Sequence, residues 1–309
     1  MCEVNFTVAI NILTDGHHCP KVAIRVYLSK VSQSMEKILV ATDLSVNSIS
    51  AIRFAYNLSQ TRGATLVIVH VYSISKPKSW RMQRFENHKK TRRDFIWNKL
   101  SFFLDQVFSS RGLTNVKYEI DLQMNANTVG TILKCAARHK CSHLCISTHG
   151  LGKNKNVIGH TARKIIAKSP IPVFSIPSLY KENKTERICL VSNMMNYVKE
   201  IKKVTSHGHL QHDEIRLLHI ASDIEDKIKT NHLDTRIFKR TGVALKSKYA
   251  IRNPSNTLLQ DIDKAVKKIR PSLVIFFIKR TQQSKSTLFD ADTPALSLYK
   301  KIPLLLFKK

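Results

Sequence analysis

From Lys37 onward the chain alternates short apolar runs with stretches of helical spacing, and this alternation limits its fold more than any other feature. ILVAT at 38–42 is followed by helical spacing through Ile49, Ile52, Ala55 and Leu58, and then by TLVIVHVY at 65–72. Short apolar runs bounded by polar residues read as buried strands, and apolar positions three or four apart read as one face of a helix. The alternation continues through a long polar stretch to about Arg111, VKYEIDL at 116–122, a helical segment at 128–139, HLCIST at 143–148, a short helix near 161–168 and VFSIP ending at Pro177. Strands separated by helices predict a parallel, doubly wound α/β sheet.

The same order then recurs in RICLVSN at 187–193, EIRLLHIA at 214–221, VALKSKYAI at 243–251, a helix at 257–269, SLVIFFI at 272–278 and IPLLLF at 302–307. Spacing supports an internal repeat: Ile38 to His70 spans 32 residues and Ile188 to His219 spans 31, while Asn127 to Pro172 spans 45 and Asn256 to Pro303 spans 47. The middle interval differs, with 57 residues from His70 to Asn127 against 37 from His219 to Asn256. That excess overlaps KPKSWRMQRFENHKKTRR at 76–93, where eight Lys or Arg face the single Glu86, and is expected to form a long helix or a mobile arm. The repeat divides the chain into 35–178 and 185–309, joined by a polar linker at about 178–186. Residues 1–34 fit neither half and are expected to be an N-terminal extension or the product of a mis-assigned start, since Met35 stands directly before the first strand.

The net charge is +29, distributed as +1 over residues 1–34, +15 over 35–178 and +13 over 179–309. An excess this large favours contact with nucleic acid, acidic surfaces or phosphorylated ligands, and its spread excludes a simple basic tail. The six cysteines form no CxxC pair, which points to free thiols in a reducing compartment. No apolar run approaches the roughly 20 residues of a spanning helix, so no membrane association and a cytoplasmic location are expected.

In an open α/β sheet, ligands bind beyond the carboxyl ends of the strands where strand order reverses. For strand order 3-2-1-4-5 those are strands one and four. Here they end in Ala41-Thr42-Asp43 and in Ile146-Ser147-Thr148-His149-Gly150. Beyond Gly150 lie Gly152, Lys153 and Lys155, and Gly159, His160 and Thr161 open the next helix. Exposed amides at that helix start, with the lysines, could hold a phosphate. The plainer alternative is that the glycines turn the chain and the lysines are solvated.

These residues resemble the universal stress protein family: ILVATDLS at 38–45, VIVHVY at 67–72, ISTHG at 146–150, IGHTARKII at 158–166 and SPIPVFSIP at 169–177. Residues 185–309 resemble a second, degenerate copy by pattern and spacing. The resemblance implies two tandem Rossmann-like domains, each a five-stranded parallel sheet of order 3-2-1-4-5 flanked by helices. It further implies that the two pack against each other as α/β layers, as the dimer of single-domain members does, hiding apolar surface on the last strands IPVFSI and IPLLLF, in a monomer with an internal pseudo-dimer or in a homodimer.

The resemblance also implies a stress-response protein that binds ATP or another adenine nucleotide, with Mg as a companion ion. Asp43 and Val71 would meet base and ribose, and a glycine loop would wrap the phosphates. Ala41, Thr42, Ile146, Ser147, Thr148, His149, Gly150, Gly159, His160 and Thr161 complete the implied site. Three departures from the family pattern G-x-x-G-x9-G-[ST] stand out: Ser147 replaces the first glycine, eight residues separate Gly150 from Gly159, and His160 precedes Thr161 where the hydroxyl residue belongs. In the second half Asn193 takes the place of Asp43, and KRTQQSKSTLFDADT has no glycine, so that copy is expected to be structural or regulatory.

Other constellations weigh less. His139, Cys141, His143, Cys145 and His149 are metal-ligand types, but neighbours two apart on a strand lie about 6.6 Å apart along it, so no metal is expected. His70 and His219 hold equivalent strand positions and read as packed histidines. Trp80 and Phe85 within the basic run suit base stacking, which supports the alternative of an interaction module binding nucleic acid or another polyanion through 76–93. Protein partners are expected on either reading. No nucleophile elbow, Walker loop or catalytic carboxylate pair is present, so the chain is not expected to be an enzyme. Weak ATP hydrolysis, with Asp43 placing a metal ion, stands as a lesser alternative.

Overall fold

The computed structural model describes residues 36–149, 158–181, 187–206, 214–222, 232–278 and 301–309. In chain order the elements are β1 (Lys37–Thr42), α1 (Val46–Arg62), β2 (Thr65–Tyr72), α2 (Met82–Ser109), β3 (Glu119–Met124), α3 (Thr128–Arg138), β4 (His143–Ser147), α4 (His160–Lys168) and β5 (Val173–Ile176). They continue with β6 (Arg187–Val191), α5 (Tyr197–Ser206), β7 (Glu214–Ala221), α6 (Leu233–Thr241), β8 (Lys246–Ile251), α7 (Leu258–Ile269), β9 (Leu273–Ile278) and β10 (Leu304–Lys308).

All ten strands form one sheet of order β3-β2-β1-β4-β5-β10-β9-β6-β7-β8. Neighbours pair in parallel within each set of five, as in β1 with β2 and β4, and β6 with β7 and β9. The exception is the central seam, where β10 runs antiparallel to β5 with Leu305 opposite Phe174. The halves thus meet through their last strands, as expected, but edge to edge in one mixed sheet rather than as two packed α/β layers. The physical reason lies in the last strands. VFSI and LLLF are buried along their length, and an unpaired apolar edge would leave backbone donors and acceptors unsatisfied.

Burial on both faces accounts for the near-continuous apolar strands. In β1, Leu39 and Ala41 face a core shared with Ile132 of α3, Ile165 of α4 and Val266 of α7. Its alternate residues Ile38 and Val40 face a second core with Ile52 of α1, Leu100 of α2, Ile201 of α5 and Ile237 of α6. Local chemistry sets the helix ends. α1 stops at Gly63, whose φ of 60° suits a residue without Cβ. α3 starts where the Asn127 side chain accepts a hydrogen bond from the Gly130 amide at 2.9 Å, and α7 starts with a capping box between Thr257 and Gln260.

The basic segment at 76–93 runs into α2, a helix of 28 residues, so the long-helix expectation holds from Met82. Its aromatic residues are engaged within the segment. Arg84 sits 4.6 Å over the Trp80 ring and Lys89 5.4 Å from the Phe85 ring. Two helices, α5 and α6, escaped the sequence reading because each is short and buries few apolar side chains, only Leu233 and Ile237 in α6. The expected N-terminal extension, the glycine loop at 150–157, most of the linker and the loop after β9 fall outside the described residues.

The two sets of strands share details beyond order. Leu44 and Met194 both have positive φ, 61° and 65°. Each donates its amide to the hydroxyl two residues back, Leu44 to Thr42 at 3.0 Å and Met194 to Ser192 at 3.1 Å. His70 Nδ1 lies 2.8 Å from the Thr42 carbonyl, and His219 Nδ1 lies 3.1 Å from the Ser192 carbonyl. The equivalent histidines thus tie the second strand of each set to the end of the first, as packed strand residues.

Candidate functional site

The register brings the carboxyl ends of β1 and β4 together, with Ala41 opposite Ile146. β1 is followed by α1 and β4 by α4, so the chain diverges above this pair and leaves a crevice. A cavity of about 400 Å³ lies there, lined by Ala41, Thr42, Asp43, Val71, Ile146, Ser147, Thr148, His149, Gly159, His160 and Thr161, together with Thr128, Ile132 and Ala162. The structure therefore gathers the sequence-derived positions around one space, Gly150 apart, which lies outside the described residues. Thr128, Ile132 and Ala162 were missed. Thr128 and Ile132 are four apart on α3 and so share one face, a signal that could have found them once α3 was placed over this end of the sheet.

Polar groups at the base of the cavity are locked by short bonds. The Thr42 and Ser48 hydroxyls are 2.8 Å apart. Asp43 Oδ1 accepts from the Ser45 amide at 3.0 Å and from the Ser45 hydroxyl at 2.5 Å, which fixes the carboxylate at the start of α1. Ser147 donates its hydroxyl to the Asn47 carbonyl at 2.8 Å, and the Thr148 hydroxyl pairs with His149 Nδ1 at 2.8 Å. Beneath them burial lowers the pKa of His70, against the opposing pull of the Thr42 carbonyl and the Asp43 charge.

The far wall is the start of α4. The Gly159 amide donates to the Thr148 carbonyl at 2.7 Å, fastening the helix start to the end of β4. Gly159 is the N-cap and supplies no side-chain acceptor for the first turn. Backbone amides at a helix start carry partial positive charge and attract anions. The cavity thus pairs an apolar side, made by Val71, Ile132 and Ile146, with a polar floor at Asp43 and a cationic helix end. That division suits a ligand with a flat, mostly apolar body and an anionic tail, and the volume falls within the range of about 300–1,000 Å³ typical of small-molecule sites.

The metal-ligand types at 139–149 do not converge. Cys141 packs in the core with α3 and α4, whereas Cys145 packs in the opposite core, because Cys141 precedes β4 and does not share its alternation. His143 faces Phe174, with ring centroids 5.7 Å apart, and pairs with Glu36. Burial pushes the Cys135 thiol up to about 12 and the Cys141 thiol up to about 11. Among the described residues no three His, Cys, Asp or Glu side chains gather to hold a metal ion. Among the described residues, too, no helix is long and apolar enough to cross a membrane.

Residues 35–95 match the model of the universal stress protein family. No curated protein matches the chain significantly. Among solved structures, a universal stress protein from Archaeoglobus fulgidus DSM 4304 is 16% identical and aligns over 88% of this chain and 98% of its own, with a TM-score of 0.59. A protein of Pseudomonas aeruginosa UCBPP-PA14 assigned to the same family is 13% identical over 89% of this chain and 94% of its own, with a TM-score of 0.54. At such identities the likeness speaks for the α/β fold, and it extends across both five-strand sets.

Proposed function

We propose that this chain, which carries a universal stress protein domain, is a stress-response protein that binds an adenine nucleotide in the cavity between β1, β4 and α4. Nucleotide occupancy would set the state that protein partners read. The observation that carries this reading is the meeting of the fixed Asp43 carboxylate, across one cavity, with the first turn of α4, whose N-cap Gly159 offers no side-chain cap. Adenine would lie against Val71, Ile132 and Ile146, the ribose hydroxyls would bond Asp43, and the phosphates would face the amides of His160 and Thr161. A Mg ion, where ATP brings one, would ride with the phosphates.

On this reading 35–178 is the nucleotide-binding half, and 185–309 is a companion that repeats the fold but carries Asn193 where a ribose-binding carboxylate would stand. The role is binding rather than turnover, in the cytoplasm. Isothermal titration of the full chain with ATP, ADP and AMP tests it. Saturable heat with at least one of them, weakened about tenfold or more by Asp43→Asn, is expected. No heat with any nucleotide at millimolar concentration refutes it.

A further inference from the structure

A second cavity, of about 530 Å³, lies in the other half between β7, β8 and α7. We propose that it is an anion site for a compact polyphosphate. Four cationic side chains line it, Arg216, Lys248, Lys264 and Lys268, against a single carboxylate, Asp261. Strand alternation and register place these charges on one face: Leu218 packs under α7, Arg216 lies two residues before it, and Lys248 stands opposite Leu218. Lys264 and Lys268 are four apart on α7 and so project from the same side of that helix.

The acidic groups nearby are already taken. Asp261 is buried, pairs with Arg252, and accepts from the Asn253 amide at 3.1 Å and from Asn256 Nδ2 at 2.6 Å. Glu214 is shared among Arg216 at 3.1 Å, Lys246 at 3.3 Å and Arg187 at 3.4 Å. Among the described residues Lys264 bonds the neutral Asn256 side chain, at 3.4 Å. Lys248 and Lys268 have no carboxylate partner among the described residues.

In the first half an ion-pair cluster of Asp121, Arg138 and His139 occupies the corresponding corner. Register sets Val67 opposite Glu119 and Val69 opposite Asp121 in one half, and Arg216 opposite Lys246 and Leu218 opposite Lys248 in the other. Lys248 therefore stands where Asp121 does, and Lys246 where Glu119 does. Counting eleven residues from the N-caps Asn127 and Thr257 puts Lys268 at the place of Arg138. In the first half Asp121 neutralises that corner, pairing with Arg138 at 2.5 Å and His139 at 3.0 Å. In the second half the acids are replaced by lysines, the arginine remains a cation, and the space stays open. Cations gathered this closely repel one another unless an anion enters among them. Several lysines around one open groove suit a multiply charged phosphate better than a single carboxylate. The phosphate could belong to a free inorganic chain or to the tail of a nucleotide.

The test is titration of the full chain with pyrophosphate, read by calorimetry and by phosphorus NMR, in wild type and in three variants. Lys248→Asp restores the first-half residue, Lys264→Gln removes one charge from the exposed face of α7, and Asp43→Asn alters only the other cavity. The expected result is saturable pyrophosphate binding that falls about tenfold or more in Lys248→Asp, falls severalfold in Lys264→Gln, weakens with added salt and is unchanged in Asp43→Asn. AMP binding to the first half should be unaffected by Lys248→Asp, so the two sites fail separately. Displacement of pyrophosphate by ATP assigns the phosphate to a nucleotide tail, and resistance to ATP assigns it to a free chain. Equal pyrophosphate affinity in wild type, Lys248→Asp and Lys264→Gln, with each variant folded by circular dichroism, overturns the proposal. So does loss of pyrophosphate binding in Asp43→Asn alone.

Discussion

Replacing Leu305 with Ala should destabilise both halves of the chain together. Leu305 is fully buried on β10, opposite Phe174 across the antiparallel seam and opposite Ile275 on the parallel side. Truncating a buried leucine costs about 2–5 kcal/mol, from lost transfer energy and the cavity left behind. Taking about 3 kcal/mol, and a urea m-value near the top of the usual range at about 3 kcal/mol/M, the midpoint should fall by about 1 M. The chain has two tryptophans, Trp80 and Trp97, both in the first half, so their fluorescence reports that half alone while circular dichroism reports the whole chain. In a continuous ten-stranded sheet the two transitions should coincide and move together, although the substitution lies in the second half. A fluorescence transition that stays at the wild-type midpoint while part of the dichroism signal melts early would refute the coupling of the halves through β5 and β10.

Other outcomes follow from the same geometry. Glu36 accepts bonds from Arg62 at 2.9 Å and from Ser142, and pairs with His143; burial alone would raise its pKa, but these partners together hold it well below its ordinary value of 4.5. A depressed carboxylate stabilises the fold above its unfolded pKa and loses that contribution as pH falls towards its folded value. Glu36→Gln should therefore cost about 1–2 kcal/mol at pH 7, and the gap to wild type should narrow below pH 4.5 in urea melts run across that range. The buried thiols of Cys135, Cys141 and Cys189, pushed by burial up to about 12, 11 and 12, should ignore a thiol reagent at pH 8 until the chain is unfolded, when tested in a Cys2→Ser, Cys19→Ser background. Filling the first cavity with Ala162→Phe should abolish nucleotide heat while leaving pyrophosphate binding intact.

Most of the fold was legible because its signals are local. Parallel strands buried on both faces need continuous apolar runs, and VIVHV and LCIS are such runs. The recurring strand order was traceable because β6 and β7 keep the spacing of β1 and β2. That the halves meet through their last strands was legible from the apolar IPVFSI and IPLLLF, but their union into one sheet was not. Antiparallel pairing of VFSI with LLLF depends on edges far apart in the chain, and a buried edge strand reads the same as a buried central one. The first cavity was traceable because strand order fixes which strand ends meet, so Asp43 and His149 could be set together from topology. Thr128 and Ile132 were not, since their role depends on how α3 tilts over the sheet. The basic cavity of the second half left no motif. Arg216, Lys248 and Lys268 are scattered among many other cations, and only register brings them together.

A crystal structure of the full chain grown with AMP tests the central claim most directly. Density for the nucleotide should lie between Asp43 and the first turn of α4, with the base against Val71 and Ile132 and the phosphate at the amides of His160 and Thr161. An empty cavity at saturating AMP, or nucleotide bound elsewhere, would contradict the account.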